Sequence, residues 1–183
     1  MRVLSLAFIC LYFSASSFAQ DSFAEIRKNP PDDATLREQK RFVQRVVDGD
    51  TIIVKWHDRV RLIGVDAPEV SHPKKPIEYF GPEAKEYLRA LVEGKDVLLK
   101  FDNLNRKENF RDEFDRLLAY VYLVDGTNVN QLMIQEGYAV TLRYFPFSYL
   151  DRFLEAEKEA RKARKGIWAK SKRKTRYWGP DFP

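Results

Sequence analysis

Apolar positions along the chain fall in short clusters separated by turn residues. Residues 41–47 (Arg-Phe-Val-Gln-Arg-Val-Val) alternate loosely and run into Asp48-Gly49, a tight-turn signal. Residues 51–56 (Thr-Ile-Ile-Val-Lys-Trp) are β-branched and aromatic, which predicts a second strand. His57-Asp58 turns the chain into 59–65 (Arg-Val-Arg-Leu-Ile-Gly-Val), a third. The opening is thus a three-stranded meander. Asp50 starts its second strand and Asp66 follows its third. In antiparallel neighbours the start of one strand lies beside the end of the next, so the two aspartates can share one sheet edge.

The period then changes. Pro68, Pro73 and Pro76 make 68–80 a loop, and Gly81-Pro82 opens a helix with proline in its first turn. Ala84, Leu88, Leu91 and Val92 recur on one helical face, and Gly94 closes it. Residues 97–101 read as a fourth strand and the apolar run from Arg116 to Val124 as a fifth. Asn128 is a candidate cap for a helix over 129–136 that ends at Gly137. A longer helix begins near 148, with Leu150, Phe153, Leu154 and Ala156 inward and Trp168 packing its end. Five strands, one helix before the fourth and helices at the end predict an α+β fold: a five-stranded Greek-key barrel of OB type with about three helices.

The ends change the picture. Met1-Arg2, the apolar or small run Val3 to Phe13 and the small-residue stretch to Ala19 read as a signal peptide over 1–19. The run is shorter than the roughly 20 residues of a spanning helix. The expectation is an exported protein, periplasmic or secreted, beginning near Gln20 and unattached to the membrane after cleavage. Cys10, the only cysteine, leaves with that segment, which excludes thiolate catalysis and cysteine-held zinc from the mature chain. Residues 20–38 read as a polar leader, 39–168 as one domain and 169–183 as a basic tail. Residues 158–176 hold ten Lys or Arg against one acid, whereas 20–157 carry a net −4. Binding of a polyanion by the body must then rest on individually placed cations, with the tail adding non-specific affinity.

Five residues carry the candidate chemistry: Asp50, Arg61, Asp66, Glu69 and Arg116. Three carboxylates and two guanidiniums are the set a metal-assisted attack on a phosphodiester uses. Carboxylate oxygens hold Ca²⁺ or Mg²⁺. Metal and arginines stabilise charge building on the phosphate, and a carboxylate off the metal takes a proton from water. Each motif alone is bland: Asp48-Gly49-Asp50-Thr51 is a turn, Lys74-Lys75 a loop tip, His57 and His72 surface histidines. Their combination is the signal, because acids gathered at one sheet edge repel unless a cation sits among them.

In six ordered blocks the sequence resembles the staphylococcal nuclease family. These are 47–51 (Val-Asp-Gly-Asp-Thr), 61–69 (Arg-Leu-Ile-Gly-Val-Asp-Ala-Pro-Glu), 72–75 (His-Pro-Lys-Lys), 79–84 (Tyr-Phe-Gly-Pro-Glu-Ala), 116–120 (Arg-Leu-Leu-Ala-Tyr) and 166–168 (Gly-Ile-Trp). The resemblance implies an OB-type barrel and endonucleolytic hydrolysis of DNA and/or RNA to 3′-phosphate ends by a Ca²⁺-dependent monomer. It implies Asp50, Asp66 and the backbone carbonyl of Ala67 as calcium ligands, with Asp48 behind them. Glu69 becomes the general base or the holder of the attacking water. Arg61 and Arg116 become the phosphate-gripping guanidiniums, and Lys74 and Lys75 belong to a substrate-side loop. Ala67 stands where the family usually has threonine. Phe114-Asp115-Arg116 replaces the usual Tyr-Gly-Arg, setting an acid beside an arginine. The alternative is a non-catalytic nucleic-acid-binding module on the same fold.

Overall fold

The structure, a computed structural model, describes residues 36–70, 77–105 and 109–169. Five strands close into a barrel: β1 (Arg37–Asp48), β2 (Thr51–Val54), β3 (Arg59–Leu62), β5 (Asp96–Phe101) and β6 (Leu117–Tyr122). A two-stranded sheet of β4 (Val65–Asp66) and β7 (Val140–Thr141) lies apart. The helices are α1 (Gly81–Val92), α2 (Val129–Gln135) and α3 (Leu150–Lys162). Around the barrel the order is β1, β2, β3, β6, β5; the β3–β6 pairing is parallel and the others antiparallel. This is the expected barrel with three helices.

Barrel closure depends on β1. Its first half pairs with β5 (Arg37↔Phe101 to Phe42↔Asp96) and its second with β2 (Val43↔Val54 to Asp48↔Thr51). Register shifts at Val43/Arg45 and Val46/Asp48 bend the strand between its two partners. Leu36 is buried in the core and β1 starts at Arg37, so the barrel takes up the last residues of the segment expected to be a leader. Val43, Val46, Ile52, Val54, Val60, Leu62, Val97, Leu99, Ala119 and Val121 fill the interior. β5 alternates between buried and less buried positions, whereas β2 is buried throughout and β6 over its last four residues, where helices and loops cover the outer face.

The third strand ends earlier than the apolar run predicts. Gly64 has φ 73, a conformation that favours glycine, and a Cβ there would lie 2.6 Å from the Phe147 ring. The chain turns at this point, and Val65–Asp66 pairs with Val140–Thr141 instead.

Three buried polar residues tie the helices and the segment before α3 to the two sheets. Asn130 on α2 accepts from Val121 N at 2.8 Å and donates to the carbonyls of Ile63 (2.9 Å) and Ala119 (3.2 Å). Asp102 accepts from Tyr120 OH (2.6 Å), Ser148 N (2.7 Å) and Ser148 Oγ (2.8 Å). Glu157 on α3 accepts from Thr141 N (2.8 Å) and Arg143 Nη2 (3.0 Å). Burial of such groups is tolerated only with partners this complete. Leu150, Phe153 and Ala156 of α3 face inward as expected, whereas Leu154 is half-buried. Trp168 meets that helix through the Arg161 guanidinium, 4.0 Å from its ring centre. Among the described residues, no helix is long and apolar enough to cross a membrane.

Candidate active site

The β1–β2 turn, the end of β3 and the segment after β4 meet at one edge of the barrel. The register pairs Thr51 with Arg61, and Leu62 N donates to Asp50 O at 2.9 Å, so β3 is sewn directly to the turn that carries Asp50. Gly49 allows a tight approach. A Cβ there would lie 2.5 Å from Ala67 Cβ and 3.0 Å from Ala84 Cβ, so the turn presses onto both the post-β4 segment and α1.

Asp50 is the centre of the arrangement. Its side chain is about one-tenth exposed. Oδ1 accepts from Thr51 Oγ1 at 2.9 Å. Oδ2 accepts from Ala67 N at 3.1 Å and lies 3.0 Å from Arg61 Nη2. The same nitrogen stands 3.8 Å from Asp66 Oδ1. Arg61 Nη1 donates to the Val65 carbonyl at 2.6 Å, which fixes the guanidinium across the gap between β3 and β4. Asp48 joins from behind, its Oδ1 accepting from Asp50 N at 3.1 Å. The strand order predicts Asp50 and Asp66 at one sheet edge, and the family resemblance adds Asp48, Arg61 and Ala67. The fold brings all five together, Asp66 through its 3.8 Å ion pair with Arg61 and the others through hydrogen bonds and the pair of Asp50 with Arg61.

Burial and mutual repulsion act on the clustered acids. Burial first, and then the neighbouring Asp50 charge, raise the Asp48 carboxyl from 3.8 to about 7. Burial and Asp50 also raise Asp66, to about 6, against the opposing pull of Arg61. The oxygens present suit a hard cation: carboxylates of Asp50 and Asp66, flanked by Asp48 and the Ala67 backbone. A divalent ion among them would remove the repulsion that raises these carboxyls. Among the described residues, no three His, Cys, Asp or Glu side chains stand ready-grouped for a metal, in keeping with Arg61 drawing both carboxylates toward itself.

Glu69 lies three residues beyond Asp66 with an exposed side chain. Its backbone is clamped by Glu78: Glu69 N donates to Glu78 Oε2 at 3.1 Å and Glu78 N donates to Glu69 O at 2.9 Å. A Cβ on Gly81 would lie 2.8 Å from the Glu69 carbonyl, so the start of α1 also presses on this loop. Glu78 was not anticipated; an acid inside a proline-rich loop carries no periodic signal.

Arg116 stands just before β6. Leu117 pairs with Val60, which sets Arg116 beside Arg59 at the β3–β6 seam. Asp112, also unanticipated, holds it. Arg116 Nε donates to Asp112 Oδ2 at 2.7 Å and Arg116 N to Asp112 Oδ1 at 2.9 Å. Burial raises the Asp112 carboxyl, but these bonds and the Arg116 charge outweigh it and leave it below its ordinary value. Asp115, the acid expected to disturb Arg116, turns away. Its side chain is 86% exposed and 3.4 Å from Arg111 Nη1. The readable signal was the i, i+4 spacing of Asp112 and Arg116. Lys74 and Lys75, residues 1–35 and residues 170–183 lie outside the described residues, and with them the signal peptide and most of the basic tail.

Residues 59–170 match the family model described as staphylococcal nuclease homologue. The chain is 38% identical to the SPbeta prophage-derived endonuclease YokF of Bacillus subtilis, over 70% of this chain and 44% of that protein. It is 38% identical to endonuclease YncB of the same organism, over 74% and 66%. It is 36% identical to the thermonuclease of Staphylococcus hyicus, over 74% and 79%. The chain therefore spans less than two thirds of the two Bacillus proteins and most of the staphylococcal one.

Proposed function

The chain belongs to the staphylococcal nuclease family, and from that premise we propose that it is an exported, Ca²⁺-dependent endonuclease acting as a monomer. It hydrolyses phosphodiester bonds of DNA and/or RNA and leaves 3′-phosphate ends. The observation that carries this reading is the Arg61 guanidinium spanning Asp50 at 3.0 Å and Asp66 at 3.8 Å on one barrel edge. Two acids and a fixed cation, with Asp66 the more exposed of the acids, are the elements of a phosphate-handling metal site.

Asp50, Asp66 and the Ala67 carbonyl would hold Ca²⁺, which supplies Lewis acidity to the phosphate and to water. Asp48 braces Asp50 through its backbone N–H. Arg61 keeps one nitrogen on the Val65 carbonyl, so its orientation survives when the other turns to a phosphate oxygen. Arg116 is held by Asp112 at its Nε, and its two Nη nitrogens would supply a second grip on the phosphate. Glu69 takes a proton from the attacking water or holds that water in line, on a loop whose backbone Glu78 and Gly81 immobilise. Lys74 and Lys75 would add, as the family resemblance implies, cations for the substrate strand.

The test is incubation of the mature protein with single-stranded DNA, with Ca²⁺ and with a chelator. Fragments bearing 3′-phosphates only with Ca²⁺ are expected. Intact DNA in both would leave a binding module.

A further inference from the structure

The β2–β3 turn contains two adjacent bulky residues in left-handed conformation, Trp56 (φ 72) and His57 (φ 67). The turn closes over residues 55–57, with Val54 N donating to Asp58 O at 3.0 Å, and left-handed angles are costly for bulky side chains at two successive positions. Trp56 gains no burial in exchange, being 71% exposed. Strain held at an exposed aromatic residue directs attention to binding. Two cations flank the ring: the Arg41 guanidinium carbon lies 5.5 Å and Lys55 Nζ 5.7 Å from its centre. Both are within reach of its face. Phe42, on the neighbouring strand, is exposed as well, and its carbonyl accepts from Lys55 N at 2.8 Å.

A row of basic residues connects this tip with the candidate active site. The register aligns Arg45, Ile53 and Arg59 across β1, β2 and β3. Arg45 and Arg59 are exposed, and among the described residues neither is ion-paired. Arg61 lies two residues further along the same face of β3, and Arg116 stands beside Arg59 at the seam. From Thr51 to Val54, where the turn begins, the strand rise is about 10 Å, so the tip lies within a few nucleotides of extended chain from the site. Residues 20–157 are net acidic, so this row is a local exception, not part of a general positive field.

We propose that the hairpin tip is an auxiliary binding site for single-stranded nucleic acid, with a base stacked on Trp56 and phosphates on Arg59 and Arg45. A strand engaged at Arg61 and Arg116 continues along the row to the tip. Stacking on an exposed ring needs an unpaired base, so duplex does not use the platform. The inference takes its ligand class from the nuclease reading.

Binding is measured with the full mature protein in chelator, without turnover, by fluorescence anisotropy of labelled oligo-dT of 4 and 16 nucleotides and of a 16-base-pair duplex. Trp56→Ala is expected to weaken the 16-mer at least about fivefold, the low end of one base–aromatic stack. Trp56→Phe should restore most of that loss. Replacing Arg45 and Arg59 together by alanine should weaken the 16-mer and flatten its dependence on log salt. Lys158→Ala, on the outer face of α3, serves as a control expected to bind like the parent protein. Trp56→Gly relieves the turn strain, so its weakened binding with undiminished thermal stability separates binding from folding. Unchanged 16-mer affinity in Trp56→Ala, or an equal loss on duplex, overturns the proposal. The parent protein is assayed for cleavage in parallel. Trp56-dependent binding without cleavage in Ca²⁺ overturns the nuclease reading alone; cleavage with Trp56-independent binding overturns this inference alone.

Discussion

Asp112 holds Arg116 at two points, one carboxylate oxygen on the backbone N–H at 2.9 Å and the other on Nε at 2.7 Å. The guanidinium is therefore aimed before any substrate arrives. Asp112→Ala removes both anchors, and kcat/KM is expected to fall about tenfold or more, since misplaced charged contacts cost on that scale. Steady-state kinetics on single-stranded DNA provide the check; kinetics equal to the parent protein's would show that Arg116 needs no such clamp.

Asp115→Gly should behave differently. The residue has φ 60, its side chain is almost fully exposed, and its partner is Arg111. Glycine adopts that conformation freely, so a rise in Tm of a degree or two is expected, on the scale of about 0.5–1 kcal/mol. KM should stay within twofold. A marked drop in KM at low salt would mean that the Asp115 charge does repel phosphate.

Glu69→Gln is expected to lower kcat at least about 10²-fold, the usual scale of a lost proton-transfer group. The Glu69 backbone N–H and carbonyl bond to Glu78 and are unchanged by glutamine, so Tm should move little. Near-parental turnover in this variant would assign the base elsewhere.

Calcium should be required and magnesium a poor substitute, because few carboxylates, on a turn and at the end of a two-residue strand, together with a backbone carbonyl make an irregular oxygen cage. The same ions should raise Tm at pH 8, calcium more than magnesium, through binding to the folded state only. Comparable activity in magnesium, or a Tm indifferent to calcium, would contradict this.

The acid cluster sets a pH dependence in chelator. Asp48 (about 7) and Asp66 (about 6) hold their protons more tightly folded than unfolded, where both titrate near 3.8. The stability tied to those protons is complete below about pH 4 and is lost as pH rises through 6 and 7. Asp48→Asn imitates the protonated form and keeps an oxygen for Asp50 N. It should exceed the parent protein in Tm at pH 8 and match it near pH 4.5. Parallel Tm curves across that range would show that Asp48 carries no shifted proton.

The barrel was legible because its strands are short β-branched and aromatic runs and because Asp48-Gly49, Gly94 and Asn128 punctuate the chain. What escaped were features with no period. The β4–β7 pair is two residues on each side, too short to leave a pattern, and it ended β3 three residues early at the Gly64 turn. The β1 start was missed because Arg37, Glu38 and Lys40 are polar edge-facing residues of a strand paired with β5 over its outer half. At the site, the residues with direct chemistry stood out in sequence blocks. The residues that orient them, Asp112 and Glu78, sit in loops where only tertiary contact reveals a role.

The parallel β3–β6 seam joins segments that the chain separates by α1 and β5, and Arg61 and Arg116 stand on either side of it. Local hairpins such as β2–β3 form without closing any long loop, but this seam cannot. During refolding the meander can be in place while the two guanidiniums are still far apart. Recovery of phosphate-binding competence therefore trails recovery of β-structure, and a chain emerging unfolded acquires its paired cations as one of its last events.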